Sequence, residues 1–151
     1  MTDATTAARV VFDNLCVTAE SLGCAYEKNE KAMCVSLSVR GDDLPIRMDV
    51  RVDAARSLVI LISPIPIEVP QEKRLDMALA VCKVNRRLSD GSFDYDIGTG
   101  RLSFRIADSF IGKSTGGEVL EYMMYYARLA VDEYNDRFLL LSCGRIDTEQ
   151  F

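Results

Sequence analysis

The fold of this chain is decided by the stretch from Leu79 to Ala107. It contains the helix end Val84-Asn85-Arg86-Arg87-Leu88, the alternating segments Phe93-Asp94-Tyr95-Asp96-Ile97 and Leu102-Ser103-Phe104-Arg105-Ile106, and the loop Gly98-Thr99-Gly100 between them. Alternation of apolar and polar residues is typical of a half-buried strand, and a short glycine-containing loop between two such segments is typical of a hairpin. The stretch therefore predicts a helix that leads into a two-stranded antiparallel hairpin.

Upstream of this stretch, the hydrophobic periodicity predicts one helix and three strands. Apolar residues recur at spacings of three and four from about Ala4 to Leu22, which predicts a first helix that ends at Gly23. Alternation predicts strands over residues 33–39 and 46–52. The run from Leu58 to Ile62 is apolar on both faces and predicts a central strand covered on both sides. We expect Ser63-Pro64-Ile65-Pro66 to end that strand, because proline cannot donate to a ladder.

Downstream of the three strands, two further helices are predicted. The second begins near Pro70 and ends near Leu88, and the final one covers about Gly117 to Leu141, with Val119 and Tyr122 on its core face. Residues 143–151 show no pattern and are expected to form a mobile tail. We therefore predict one α+β domain over residues 1–142, with an antiparallel sheet of three strands plus the hairpin. The predicted order is helix, three strands, helix, two strands, helix.

The second helix is apolar over a wider arc than contact with one sheet requires. One face consists of Leu75, Ala78, Leu79 and Cys82, and an adjoining face consists of Met77, Val81, Val84 and Leu88. The excess predicts a second contact, made either with the last helix or with another subunit. On the last helix, Met124 and Tyr125 fall outside the main core face. The candidate contacts with a partner or a second copy are Met77, Val81, Val84, Leu88, Met124 and Tyr125.

Composition argues against several functional classes. The chain of 151 residues contains no histidine, which removes the commonest general base and every Ser–His or Cys–His nucleophile pair. Its five cysteines form no CxxC pair and are expected to be buried structural thiols. The net charge is −5 and the basic residues are scattered, so neither nucleic acid nor a membrane surface is predicted as a partner. We predict no catalytic residue, cofactor or metal ligand, and we expect a cytoplasmic protein because no signal peptide or membrane span is evident.

Two motifs imitate functional sites. The segment Gly112-Lys113-Ser114-Thr115 follows a strand and precedes a helix, as a phosphate-binding loop does. The first glycine of that motif is replaced by Ala107, so we interpret the segment as a polar loop in which Ser114 or Thr115 caps the last helix. The acidic pair Asp94 and Asp96 shares one strand face. The hairpin register predicts that this pair lies near two arginines of the neighbouring strand.

The element order, the Asn85-Arg86-Arg87-Leu88 helix end before Phe93-Asp94-Tyr95-Asp96, and the hairpin that contains Gly98 resemble the YbjN-like family of bacterial proteins. Domains of that family share a type III secretion chaperone-like fold. The resemblance covers nearly the whole chain and implies helices packed on an antiparallel sheet, often paired as a homodimer. The family is described as sensory or regulatory, and it supplies no catalytic residues to carry over. Secretion chaperones of this fold bind effector proteins.

These observations predict a non-catalytic, protein-binding adaptor or chaperone-like regulator that forms a homodimer and binds an unidentified protein. The alternative is a small-molecule sensor with a pocket between the sheet and the helices. An enzyme that uses carboxylates or the Lys113 loop is a third hypothesis, which a cluster of titratable groups in one cleft would favour.

Overall fold

Residues 3–151 are described by a computed structural model, in which three α-helices pack on one face of a six-stranded antiparallel sheet. The helices are α1 (Asp3–Ser21), α2 (Arg74–Arg87) and α3 (Gly117–Ser142). The strands are β1 (Tyr26–Asn29), β2 (Cys34–Arg40), β3 (Pro45–Asp53), β4 (Leu58–Glu68), β5 (Ser92–Asp96) and β6 (Arg101–Ser109). Their order in the sheet is β1-β2-β3-β4-β6-β5. The predicted α+β class with an antiparallel sheet is confirmed.

The sheet contains one strand that the sequence pattern does not predict. The edge strand β1 is four residues long and pairs with β2 from Tyr26↔Leu37 to Asn29↔Cys34. Its last three side chains are exposed, so it shows no alternation between buried and exposed positions. Short, polar edge strands protect a sheet against pairing with other chains. Hydrophobic periodicity cannot detect such a strand, because no face of it is apolar.

The central strand β4 differs from its prediction in length and in burial. It continues through both prolines to Glu68. The pairing with β3 ends at Asp49↔Ile62, whereas the pairing with β6 continues through a bulge to Glu68↔Arg101. The last part of β4 therefore has one free edge, on which proline is tolerated. The prediction that both faces are covered is wrong, because all three helices lie on one face. Val59 is fully buried, while Ile62 on the open face is 39% exposed.

The helices α1 and α3 largely follow their predicted faces. The buried apolar residues of α1 are Ala8, Val11, Phe12, Leu15 and Ala19. Gly23, with φ of +68°, follows the helix end as predicted. Helix α3 lies over β4 and β6 and contacts both other helices. Val119 and Tyr122, assigned to its core face, are 37% and 45% exposed, because the sheet meets the side of α3 that contains Leu120 and Met123. No helix within residues 3–151 is long and apolar enough to cross a bilayer.

The predicted hairpin is confirmed, and Phe93 of β5 joins it to the helices. The Phe93 ring lies 5.3 Å from the ring of Phe104 on β6 and 5.0 Å from that of Phe138 on α3, both in edge-to-face geometry. Such pairs contribute about 0.5–1.5 kcal/mol beyond the area that they bury. The hairpin is therefore fixed against α3 by aromatic contacts as well as by its ladder.

Residues 143–151, for which the sequence shows no pattern, are docked along α2 and α3. Asp147 caps a short 3₁₀ turn over Thr148–Gln150. Phe151 is 5% exposed, and its ring stacks on Phe138 at 5.5 Å. The Arg87 guanidinium donates to the Phe151 carbonyl at 2.8 Å, and the Lys83 ammonium donates to that of Thr148 at 2.6 Å. In this structure residues 143–151 are therefore packed against α2 and α3.

Candidate protein-interaction surface

The outward face of α2 carries an exposed apolar stripe. Leu75 is 72% exposed, Leu79 is 58% exposed, and Cys82 is exposed on the same side of the helix. The spacings of four and three residues place all three side chains on one helical face. The prediction that α2 has more apolar surface than the core uses is confirmed. We call Leu75, Leu79 and Cys82 the outer stripe.

The face of α2 that the sequence analysis assigns to a partner is the face that packs against the core in the structure. Met77 and Val84 are fully buried, and Val81 is 6% exposed, so all three pack inside the monomer. Leu88 is half-buried at the helix end, and Met124 of α3 is 3% exposed. Tyr125 alone among the six candidate contacts is well exposed, at 58%. In this conformation the four buried side chains are not accessible to a partner.

The charges at the two ends of the outer stripe have opposite signs. Glu72 lies one turn before Leu75, in the 3₁₀ turn Gln71–Lys73, and Arg86 lies one turn after Cys82. Both charged side chains are exposed. Acidic residues near a helix N-terminus and basic residues near its C-terminus also agree with the helix dipole. The stripe is therefore apolar in the middle, negative at one end and positive at the other.

Two polar side chains determine how α2 is presented. Arg74 in its first turn donates to the carbonyls of Val69 and Gly98, at 3.2 Å and 2.6 Å. Asn85 in its last turn accepts from the Phe93 N–H at 2.7 Å and donates to the Phe93 carbonyl at 3.0 Å. These contacts tie both ends of the helix to the hairpin. The inner face of α2 is thereby held on the core, and the outer stripe is directed away from it.

A second feature is a narrow crevice between α3 and the separated ends of β3 and β4. It has a volume of about 80 Å³, and its lining includes Leu44, Ile65, Pro66, Ile67, Asn135 and Leu139. Asn135 is 2% exposed, and neither its amide nitrogen nor its amide oxygen has a hydrogen-bond partner among the described residues. Buried side-chain amides are normally paired, because an unsatisfied polar group costs about 1–3 kcal/mol. Asn135 is therefore an unusual residue to find at the wall of a crevice.

The rim of this crevice is acidic. Asp136 lines the crevice itself, and Asp43 lies directly before its lining residue Leu44. The negative charge of Asp136, followed by a hydrogen bond with it, raises the pKa of the Asp43 carboxyl above its ordinary value. About two turns earlier on α3, Arg128 lies 3.5 Å from Asp42 and 3.6 Å from Asp132. Neither Asp43 nor Asp136 forms an ion pair with a described residue.

The segment Gly112–Thr115 lacks the arrangement of a phosphate-binding loop. Strand β6, which precedes it, is antiparallel to both of its neighbours. The Lys113 ammonium lies 3.2 Å from Asp108, and the buried Thr115 hydroxyl donates to the same carboxylate at 2.7 Å. The predicted cap is wrong: Gly116 is the N-cap of α3, because the Thr115 hydroxyl bonds to Asp108 instead.

The remaining candidate groups have structural partners. Arg105 forms the expected cross-strand ion pair with Asp94, at 2.8 Å. Hydrogen bonds from Thr99 and from the Gly98 N–H lower the pKa of Asp96, which closes the hairpin loop. The prediction of buried cysteines is wrong for Cys82 and Cys143, which are exposed, while the other three are half-buried. Within residues 3–151, no group of three or more cysteine and carboxylate side chains is placed to hold a metal ion.

Comparison with known proteins gives matches in structure. No protein-family model and no curated protein matches the sequence. A chain in the solved ExsC–ExsE complex has a TM-score of 0.60 at 14% identity, with 90% of this chain and 96% of that chain covered. YbjN from E. coli, proposed to be a transcription regulator, has a TM-score of 0.59 at 13% identity, with coverages of 83% and 92%. This chain has the type III secretion chaperone-like fold.

A third match to this fold is a chain in the HopA1–SchA chaperone–effector complex. Its TM-score is 0.51 at 16% identity, with 85% of this chain and 93% of that chain covered. Identities at this level establish the fold and leave the activity open. The family resemblance seen in the sequence is therefore confirmed as a resemblance of fold.

Proposed function

We propose that this protein is a non-catalytic, protein-binding domain that acts as a chaperone-like adaptor or regulator. The observation that carries the proposal is the outer stripe, because an ordered apolar helix face on the surface is typical of an interaction site. The fold supports it, since one solved structure with this fold is a chaperone–effector complex. The conclusion about this chain depends on its own surface, because one fold serves many functions.

We further propose that the outer stripe joins two copies of the chain into a homodimer. Two α2 helices packed antiparallel about a two-fold axis at Leu79 would place Glu72 of one copy near Arg86 of the other. An isologous interface requires such self-complementarity. Leu75 is 72% exposed and Leu79 is 58% exposed. Burying both in the interface would therefore remove from water the surface of about 1.3 leucine residues per copy. At about 1.5–3 kcal/mol for each leucine, burial in the two copies together contributes roughly 4–8 kcal/mol, from which the cost of association must be subtracted.

Sedimentation velocity over a range of concentrations tests this interface. We expect the wild type to be dimeric at tens of micromolar and the double variant Leu75→Glu/Leu79→Glu to be monomeric. The matched control is Val10→Glu/Val17→Glu on α1, which introduces the same charge at two aliphatic positions that are 47% and 66% exposed. A wild type that stays monomeric at high micromolar concentration contradicts the dimer. A double variant that dimerises as well as the control contradicts the assigned surface.

Capture from a lysate of the native host with a tagged chain, followed by quantitative mass spectrometry, tests the adaptor role. One protein recovered near stoichiometry supports it and names the pathway. Protein recovered without any partner would weaken the adaptor role and lead to ligand screening by thermal shift. A sensor pocket between the sheet and the helices is less well supported. The depression of about 430 Å³ beside Ile62 and Pro64 lies on the open face of the sheet, which is the face opposite the helices.

A further inference from the structure

We propose that the crevice between α3 and the ends of β3 and β4 binds a basic segment of a partner protein through one aliphatic side chain. This inference extends the protein-binding function proposed above, and it concerns a surface separate from the outer stripe. It assigns a chemistry to the partner: a residue of valine or leucine size, flanked by lysine or arginine. Three properties of the crevice support it.

The first property is size and lining. Leu44, Ile65 and Leu139 give the crevice apolar walls, and its volume is about 80 Å³. That is roughly half of the ~150 Å³ cavity that holds a benzene molecule. The space therefore fits three or four carbon atoms, the end of one aliphatic side chain. An aromatic side chain would not fit.

The second property is the unpartnered amide of Asn135. An asparagine side chain can pair with both the N–H and the C=O of one residue in an extended segment. Asn85 already does this in the same protein, with distances of 2.7 Å and 3.0 Å to the backbone of Phe93. Asn135 has the same donor and acceptor, and neither has a partner among the described residues. A peptide seated in the crevice would supply both groups, after a small shift of the walls.

The third property is charge. Asp136 lines the crevice, and Asp43 directly precedes the lining residue Leu44. Next to Asp43, the Asp42 N–H donates to Asp132, and the one basic side chain paired with these acidic residues in the described chain is Arg128. Asp43 and Asp136 lie close enough to repel each other. A lysine or arginine placed between them would relieve that repulsion, and it would stay at the solvent-exposed rim while its aliphatic neighbour enters the crevice. An acidic peptide would be repelled by the same groups.

Fluorescence anisotropy with labelled synthetic peptides tests the proposal on the full chain. The probe is Gly-Ser-Lys-Leu-Lys-Ser-Gly, and two control peptides replace its leucine by serine or both lysines by glutamate. We expect the double variant Asp43→Asn/Asp136→Asn to bind the probe at least tenfold more weakly. The matched control Glu121→Gln/Glu133→Gln, which removes two exposed charges from α3 outside the crevice lining, should bind within twofold of wild type. Asn135→Leu should also weaken binding while circular dichroism shows that the chain is folded.

The results separate this inference from the proposed function. Tenfold loss in the aspartate and Asn135 variants, together with failure of both control peptides, supports the site. Equal binding of the probe by wild type and the aspartate variant overturns it, as does absence of binding at millimolar peptide. If Leu75→Glu/Leu79→Glu loses dimerisation and still binds the probe, the two surfaces are independent. Loss of peptide binding alone, with dimer and captured partner intact, would reject only the crevice.

Discussion

Replacing Asn85 should destabilise the fold by an amount that its two hydrogen bonds define. Its side chain pairs with both backbone groups of Phe93, a residue that is 2% exposed. In Asn85→Ala both groups lose their partner at the junction between α2 and β5. Each unsatisfied buried group costs about 1–3 kcal/mol, so the free energy of unfolding should fall by roughly 2–6 kcal/mol. For a domain of ordinary stability, about 5–15 kcal/mol, this is a large fraction.

Urea unfolding followed by circular dichroism at 222 nm measures this loss. The control is Glu121→Ala on α3, outside both proposed surfaces, which should change the free energy of unfolding by less than about 0.5 kcal/mol because its side chain is exposed. The dependence on urea concentration should stay the same in both variants, since neither changes the surface that unfolding exposes. A loss below about 0.5 kcal/mol in Asn85→Ala would refute the reasoning, because water would then be satisfying the Phe93 backbone.

The variant Asn85→Asp separates the donor from the acceptor. The carboxylate still accepts from the Phe93 N–H, but it places negative charge against the Phe93 carbonyl oxygen. We expect the pKa of this introduced carboxyl to be raised in the folded state. Protonation restores a donor, so the difference in stability from wild type should shrink as the pH falls through the raised pKa of the folded state towards the ordinary pKa of aspartate. A difference that does not change with pH would show that the donor interaction is unimportant.

Two further changes have defined outcomes. Gly100→Ala should lower the free energy of unfolding by about 2 kcal/mol or more, since Gly100 has a φ of +75° and an added Cβ would lie 2.4 Å from the Val69 carbonyl oxygen. Gly23→Ala, with a φ of +68° and no neighbour within 4 Å, should lose less in the same urea assay, and equal losses would contradict the clash. Asp136→Asn should raise the urea midpoint near neutral pH, because the raised pKa of Asp43 means that the charged pair destabilises the folded state until protonation. That gain should vanish at a pH below the ordinary aspartate pKa of about 3.9, where Asp43 is protonated, and a gain that persists there would exclude repulsion.

The parts of the fold that local pattern determines could be predicted from the sequence. The hairpin is the clearest case, because Phe93, Phe104 and the glycine loop lie close together in the chain and carry strong alternation. The faces of α2 could not be predicted in the same way. Periodicity locates two apolar stripes, but the choice between them depends on how α2 approaches β5. Arg74 and Asn85 determine that approach through contacts that no pattern of hydrophobicity encodes.

The crevice depends on contacts that are distant in sequence. Its walls come from Leu44, from the end of β4 and from the second half of α3, which the chain brings together only when folded. Two local signals point to it in retrospect. Pro64 and Pro66 mark where β4 leaves β3, and Asn135 interrupts the buried face of α3 between Tyr134 and Phe138. Either signal alone is compatible with an ordinary strand end or an ordinary polar substitution.

Some groups that a partner could bind are already covered by residues of this chain, whereas the outer stripe is exposed. Asn85 occupies the backbone groups of Phe93 on β5, and the chain from Asp147 to Phe151 covers the junction of α2 and α3. Single exposed apolar residues are common on any protein and need no function. The outer stripe differs, because Leu75 and Leu79 are aligned on one face and end in opposite charges. With Leu75 72% exposed and Leu79 58% exposed, this helix face has the length, alignment and charge pattern expected of the association surface proposed above.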